Sequence, residues 1–99
     1  MQIFTDGPIL MLEGDFDVRS TFQVRNALYD QLATYDDVVV DLTGVTGADV
    51  TALKVLAAAS RRTTLEGRHL TLRGCSPTVR RLLHLTRLAR IVELERASA

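Results

Sequence analysis

Two aspartates stand where acidic side chains often act in α/β proteins. Asp17 follows a strand-like segment, just past Gly14, and Asp49 stands at the start of an apolar, helix-like segment. An aspartate at a helix start accepts hydrogen bonds from backbone N–H groups and offsets the helix dipole. If their strands are neighbours, both turns lie at the carboxyl edge of the sheet, where ligands and partners are usually bound. Capping and partner contact are both open for Asp17 and Asp49.

The other polar residues give little support for catalysis. His69 lies in an alternating segment and His84 in a helix-like one, without a Ser, Cys or acid at a spacing typical of a triad. Cys75 precedes a predicted helix, whose N-terminus could lower the thiol pKa, but the favoured interpretation is a partly buried, unreactive cysteine. The two glycines after the central strand do not make a phosphate loop, and no Cys/His cluster predicts a metal site. We expect no enzymatic activity and no cofactor.

Length and composition predict one domain, residues 1–99, in a cytoplasmic protein. A chain of 99 residues builds one core without needing a metal or disulfide. Its single cysteine cannot form an internal disulfide. The first residues lack the basic start and cleavable apolar stretch of a signal peptide. No apolar run approaches the roughly 18 residues of a membrane span, so membrane insertion is not expected.

The charges are unevenly distributed along the chain. Residues 1–50 hold nine acids and two bases, a net charge of −7, whereas residues 51–99 hold ten bases and three acids, a net charge of +7. We expect the fold to interleave the two halves and neutralise both. The alternative is a dipolar molecule with an acidic and a basic docking face. No RNA- or DNA-binding motif accompanies the arginines, so direct nucleic-acid binding is not expected.

Four strands are predicted from short apolar or alternating runs. The run Val38–Leu42 is continuously apolar except for one acid, which is typical of a central strand covered on both faces. Residues 88–94 fit either a short helix or an edge strand at 91–94. The other predicted strands are an edge strand at Ile3-Phe4, one at Ile9–Glu13 that Gly14 ends, and one at His69–Arg73.

Three helices alternate with these strands. Ser20 and Gln23 have the spacing of a capping box, so the first helix should run from Thr21 to near Tyr35, with Phe22 in its apolar stripe. The second should run from about Val50 to Glu66, and the third should begin at Ser76-Pro77. The expected inner face of the third helix is Val79, Leu82, Leu83 and Leu85. The order predicts an α/β domain with a mostly parallel central sheet of four to five strands and helices packed against it.

Three segments together carry a family resemblance. They are LEGDFD (12–17), VVVDLTGVTGADVTALKVL (38–56) and LRGCSPTVRRLL (72–83), which is followed by LTRL (85–88). In spacing and residue type they are similar to the STAS domain family, the fold of bacterial anti-sigma factor antagonists. The resemblance covers nearly the whole chain, and each segment alone is weak. It implies a STAS-like domain that binds other proteins.

The resemblance also implies a phosphorylation switch, from which this chain departs. In the family, an anti-sigma factor with kinase activity phosphorylates the first serine of an Asp-Ser-Ser-Gly element, and the phosphoprotein releases the kinase. Asp49 matches the aspartate, but Val50 replaces that serine and has no hydroxyl. Thr51 replaces the second serine and is the possible phosphate acceptor. Arg87 replaces a family glycine, so the third helix should end differently or continue.

The leading interpretation is a regulatory protein that binds an anti-sigma factor with a kinase-type ATPase fold and thereby releases a sigma factor. The expected partner-binding residues are Asp17, Val18, Arg19, Asp49, Thr51 and Lys54. Redox control at Cys75 and a weak homodimer stay open. The alternative is a non-phosphorylatable STAS accessory subunit of a lipid-transporting ABC complex.

Overall fold

Five strands and three α-helices alternate along the chain. The structure, a computed structural model, describes residues 1–95. Short 3-10 turns cover Val18–Ser20 and Leu88–Arg90. The strands are β1 (Gln2–Asp6), β2 (Ile9–Phe16), β3 (Asp37–Ala48), β4 (His69–Arg73) and β5 (Glu93–Leu94), and the helices are α1 (Thr21–Thr34), α2 (Val50–Leu65) and α3 (Pro77–Leu85).

The strands stand side by side in the order in which they occur in the sequence, β1-β2-β3-β4-β5. β1 is antiparallel to β2, and the other neighbours are parallel. The prediction of a mostly parallel α/β sheet is therefore confirmed. Leu10, Val40 and Leu72 are in register across the three central strands, so their side chains form one apolar row.

Only one face of the sheet is covered. Val38, Val40 and Leu42 on β3 are buried, whereas Val39 and Asp41 between them are only half-buried. The prediction of a strand covered on both faces was wrong. Each helix connects one parallel strand to the next in the same direction, and right-handed crossovers of that kind place all helices on one face. Those helices contribute their apolar side chains to a single core with β2, β3 and β4.

β2 and β3 both run further than predicted. Gly14 does not end β2, because its φ of +100° lets the strand continue through an irregularity in pairing to Phe16. β3 likewise continues beyond Leu42 to Ala48. The extra pairing ends with Phe16 opposite Ala48. The turns that follow the two strands therefore begin at the same level of the sheet.

The predicted capping box at the start of α1 was wrong. Ser20 gives α1 no side-chain cap; its hydroxyl instead accepts from the Asp17 N–H at 3.1 Å. Asp17 and Ser20 form a capping box for the preceding 3-10 turn. The chain thus makes a tight turn before α1 begins at Thr21.

Two predicted core residues are exposed. Phe22 is 73% exposed and Leu85 is 71% exposed. The core-facing stripe of α1 contains Val24, whose position is two residues, or about 200°, around the helix from Phe22. The same separation divides Leu85 from the buried Leu83 on α3. Both side chains therefore point away from the sheet.

The fold keeps the two charged halves of the chain apart. Because strand order follows sequence order, the acidic half supplies β1, β2 and β3, and the basic half supplies β4 and β5. Among residues 1–95, every ion pair joins two residues of the same half: Arg19–Asp17, Arg62–Glu66, Arg68–Glu66, His69–Glu93 and Arg73–Glu95. Interleaving is therefore limited to the boundary between the halves, where β3 pairs with β4 and α1 packs against α2. The charge asymmetry along the chain is largely kept in the folded molecule.

α3 ends at Leu85 rather than continuing. Arg87 adopts a left-handed backbone conformation, with φ of 63°, which is the conformation that glycine favours at a helix end. Both alternatives for residues 88–94 are present in part, because a 3-10 turn covers Leu88–Arg90 and a short strand covers Glu93–Leu94. Arg87 thus adopts, at the cost of backbone strain, a conformation that glycine takes more readily.

We expect Arg87→Gly to stabilise the protein. A left-handed non-glycine residue costs about 1 kcal/mol, and the greater unfolded-state freedom of glycine offsets part of the gain. The expected net gain is about 0.5 kcal/mol, or a rise in Tm of about 2–4 °C in calorimetry. Arg87→Ala is the matched control, because it removes the same side chain and keeps the strain. If Arg87→Ala raises the Tm as much as Arg87→Gly does, the arginine side chain, and not its backbone conformation, is what destabilises the protein.

Candidate functional site

The turns that carry Asp17 and Asp49 converge at the carboxyl edge of the sheet. β2 and β3 are parallel neighbours, and the Asp49 N–H donates to the Phe16 carbonyl at 3.2 Å. The prediction that these turns meet at one end of the sheet is confirmed. We call this region, residues 15–22 together with 49–54, the tip.

Asp49 connects the two turns through its side chain. One carboxylate oxygen, Oδ1, accepts from the Ala52 N–H at 2.8 Å and caps α2. The other oxygen, Oδ2, accepts from the Val18 N–H at 3.2 Å in the turn after β2. A carboxylate is needed for this arrangement, because both of its oxygens accept. Asp49 is therefore both a cap and the bridge that fixes one turn against the other.

Asp17 caps the 3-10 turn that precedes α1. Its Oδ1 accepts from the Arg19 N–H at 2.9 Å, and its Oδ2 lies 2.8 Å from the Arg19 guanidinium. The hydrogen bond from the Arg19 side chain, followed by the one from its backbone, lowers the pKa of Asp17. The same contact raises the pKa of Arg19. Both groups are close to solvent, so this ion pair contributes little to stability and mainly fixes the geometry of the turn.

The tip presents apolar side chains to solvent beside its acids. Val18 is 60% exposed and Phe22 is 73% exposed. Thr51 and Lys54 are exposed at the start of α2, whereas Val50, the first residue of that helix, is half-buried. The sequence pattern did not single out Phe22 as a surface residue, although its position about 200° from Val24 on α1 would have indicated exposure. Exposed aromatic residues are typical of protein-binding surfaces.

The remaining polar candidates do not form a catalytic group. His69 lies 3.0 Å from Glu93, an acid that its sequence neighbourhood did not reveal, and the hydrogen bond that Glu93 accepts from the ring raises the pKa of His69. The Cys75 thiol is half-buried, and burial raises its pKa, which is opposite to the activation considered for a helix start. Within residues 1–95 no three His, Cys, Asp or Glu side chains group as metal ligands.

None of the helices between residues 1 and 95 combines the length and the apolar character needed to span a bilayer.

Comparison with solved structures finds the same fold in several proteins. A provisionally assigned anti-sigma factor antagonist from Thermotoga maritima has a TM-score of 0.78 and 19% identity, over 97% of this chain and 86% of that one. An anti-sigma factor antagonist from Mycobacterium paratuberculosis has a TM-score of 0.77 and 22% identity, over 97% and 84%. The antagonist SpoIIAA of Bacillus, solved in unphosphorylated and phosphorylated forms, has in the first form a TM-score of 0.72 and 14% identity, over 98% and 88%.

Comparison with sequences gives the family directly. No curated protein sequence matches the chain significantly. A family model described as "Mlab, STAS domain" matches residues 3–93, which is nearly all of the chain. The five-stranded, mostly parallel sheet with three helices agrees with that assignment. The chain therefore belongs to the STAS domain family.

Proposed function

We propose that this chain is a regulatory, non-enzymatic protein-binding domain that works as an anti-sigma factor antagonist. It binds an anti-sigma factor with a kinase-type ATPase fold in the cytoplasm, and this binding frees a sigma factor. The observation that carries the proposal is the tip, where Val18 and Phe22 are exposed on a backbone that Asp49 holds in place. Several structural neighbours are named anti-sigma factor antagonists, which supports the same class of partner.

The charge of the tip favours a basic partner surface. The tip holds three acids, Asp15 at the end of β2 and Asp17 and Asp49 in the two turns. It holds two bases, Arg19, which pairs with Asp17, and Lys54. Complementary charge guides association and orientation more than it adds affinity, whereas buried aromatic and aliphatic contacts supply most of the binding free energy. In the proposed complex, Val18 and Phe22 therefore supply affinity, and the acids set the orientation.

We propose further that phosphorylation control is lost at Val50 or moved to Thr51. Val50 holds the first helical position of α2 and has no hydroxyl. Thr51 is the next residue, and it is exposed. A phosphate there would add a charge of about −1.5 to −2 beside the tip carboxylates, which would disfavour an acid-adapted interface. The relative SpoIIAA has a phosphorylated form, so control of that kind exists in the family.

The second candidate is an accessory subunit of a lipid-transporting ABC complex. One observation favours it, namely the valine at position 50, because a subunit that braces an ATPase needs no phosphate acceptor. The two candidates differ in the partner that co-purifies from the source cell. An anti-sigma factor of the histidine-kinase ATPase type supports the first, and a transporter ATPase supports the second.

We expect Asp49→Ala to destabilise the domain by about 2 kcal/mol, because it removes a helix cap and the hydrogen bond to Val18. Asp49→Asn keeps one acceptor for the Ala52 N–H and should cost about 1 kcal/mol. Urea unfolding followed by circular dichroism measures both, with the exposed Asp30→Asn as control. If Asp49→Ala is as stable as the unchanged protein, Asp49 does not hold the tip.

Val50→Ser should restore phosphorylation by the anti-sigma kinase captured from the source cell. The substitution places a hydroxyl at the family's acceptor position, at a helix N-terminus that favours added negative charge. Intact mass spectrometry after incubation with ATP should show one added phosphate. In the unchanged protein, any phosphate should map to Thr51 and disappear in Thr51→Ala.

The matched control is Leu65→Ser, which introduces the same group at the other end of the same helix, at a side chain that is 80% exposed, and it should gain no phosphate. Stoichiometric phosphate on any other serine or threonine of the unchanged protein would show that the proposed acceptor position is wrong. So would a Val50→Ser protein that binds the kinase and stays unmodified.

Phe22→Ala should weaken binding to the captured anti-sigma factor by at least about tenfold, since truncating a central aromatic residue typically costs about 2 kcal/mol or more. Its Tm should change little, because Phe22 is 73% exposed. Leu85→Ala is the control, as an equally exposed apolar residue on α3. Calorimetric titration measures all three proteins. Equal losses in Phe22→Ala and Leu85→Ala would place the interface elsewhere.

A further inference from the structure

A positively charged groove runs between α1 and α2, beginning next to the tip. Its first part has a volume of about 260 Å³ and is lined by Arg25, Tyr29, Lys54, Val55 and Ala58. Tyr29 also lines a second part, of about 160 Å³, which continues toward Arg62. We call both parts together the α1/α2 groove. Apolar or small side chains line it together with arginine and lysine, and Thr63 and Glu66 line its far end.

Two of its arginines are held by the ring of Tyr29. The guanidinium carbon of Arg25 lies 5.7 Å from the ring centroid, and that of Arg62 lies 5.5 Å from it. Cation–π contacts of this length are favourable and restrict the motion of the arginine side chains. These basic side chains are thus partly ordered before any partner binds, which lowers the entropy cost of binding.

The positive charge of the groove is largely uncompensated. Among residues 1–95, neither Arg25 nor Lys54 takes part in an ion pair. α2 contains no acid from Val50 to Leu65. Glu66, at the far end of the groove, lies within reach of both Arg62 and Arg68. The end nearest the tip therefore offers two cations to an external anion.

We propose that the α1/α2 groove binds an acidic amphipathic helix of the partner protein. Carboxylates on that helix would pair with Arg25 and Lys54, and its apolar side chains would contact Val55, Ala58 and Tyr29. This inference rests on the proposed function, to which it adds a second contact region. Charge complementarity selects an acidic segment, and the apolar side chains that line the groove select one with an apolar face.

The groove favours a helix over an extended peptide. Its walls are α-helices, whose backbone N–H and C=O groups bond within each helix, so they offer nothing to the unpaired backbone of a strand. A helix satisfies its own backbone. Positions 25, 29 and 33 of α1 line the groove and lie on one side of that helix at intervals of four residues. They span about 12 Å, which matches a little more than two turns of a bound helix.

Nucleic acid fits the groove less well. Single strands bind basic grooves mainly by stacking bases on open aromatic faces. The only aromatic ring among the described residues that line this groove is Tyr29, which two guanidinium groups already contact. An oligonucleotide is therefore a competing occupant to be tested.

The test uses the full chain and a designed peptide of about 14 residues, with leucine at every third or fourth position and alternating glutamate and alanine elsewhere, a pattern that favours an acidic amphipathic helix. Fluorescence anisotropy measures its binding, and NMR amide shifts locate it. We expect saturable binding, with the largest shifts at Tyr29, Val55 and Ala58. The double variant Arg25→Glu, Lys54→Glu should weaken binding at least about tenfold.

The matched control is the double variant Arg61→Glu, Arg90→Glu. Both residues line another surface groove, with Leu65, and the change in net charge is the same. It should bind the peptide within about twofold of the unchanged protein, because screening limits the effect of distant surface charges. Equal weakening in both double variants, or no binding at all, would overturn the proposal. So would equal binding of a leucine–lysine peptide, or displacement of the acidic peptide by oligothymidine.

These outcomes are separate from those of the tip. The peptide experiment needs no anti-sigma factor, so its failure leaves the Phe22→Ala result unaffected. The opposite result is also possible to distinguish. If the groove binds the peptide but Phe22→Ala binds the captured partner as tightly as the unchanged protein does, the proposed role of the tip is wrong.

Discussion

The structure depends on one carboxylate that two backbone segments share. Asp49 accepts from the first turn of α2 through one oxygen and from Val18 in the turn after β2 through the other. Parallel pairing and the hydrogen bond from the Asp49 N–H to the Phe16 carbonyl bring those turns to the same edge, but they do not fix the Val18 backbone against α2. The two hydrogen bonds to the Asp49 carboxylate fix the turns relative to each other, so that they form one ordered surface. A surface that is ordered before binding loses less conformational entropy when a partner arrives.

The second constraint is the sequential strand order. Sequence neighbours become sheet neighbours, so the charge asymmetry along the chain becomes an asymmetry in space. A fold that placed β4 or β5 between the first strands would have mixed the acids of residues 1–50 with the bases that follow. Here the ion pairs among residues 1–95 stay within each half. The first turns of α1 and α2 lie where the two halves meet. The acidic tip is at the start of these helices, and the basic groove runs between them.

Much of the fold could be predicted because local signals were strong. Helix and strand types followed from periodicity, and the proline after Ser76 marked the start of α3. The failures share one cause, namely that tertiary contacts decided the outcome. Ser20 matched a capping pattern but was already hydrogen-bonded to Asp17, and Gly14 resembled a strand end but adopted a φ that continues the strand. Val39 would be covered only if a helix packed on its face of the sheet. The face on which the three helices pack is set by the topology of the whole chain, and no short segment encodes it.

The position of the candidate site could be predicted from the sequence, but only some of its exposed side chains could. The turn residues came from their spacing relative to strands, whereas the exposed Phe22 and the arginines around Tyr29 depend on how α1 and α2 pack. That packing matters for recognition. An acidic tip alone binds a basic partner surface in many orientations. A basic groove alone likewise binds an acidic partner surface in many orientations. With both on one surface, a partner must present a basic region and an acidic helix at a fixed separation, and the reversed orientation places like charges together. Specificity then follows from geometry.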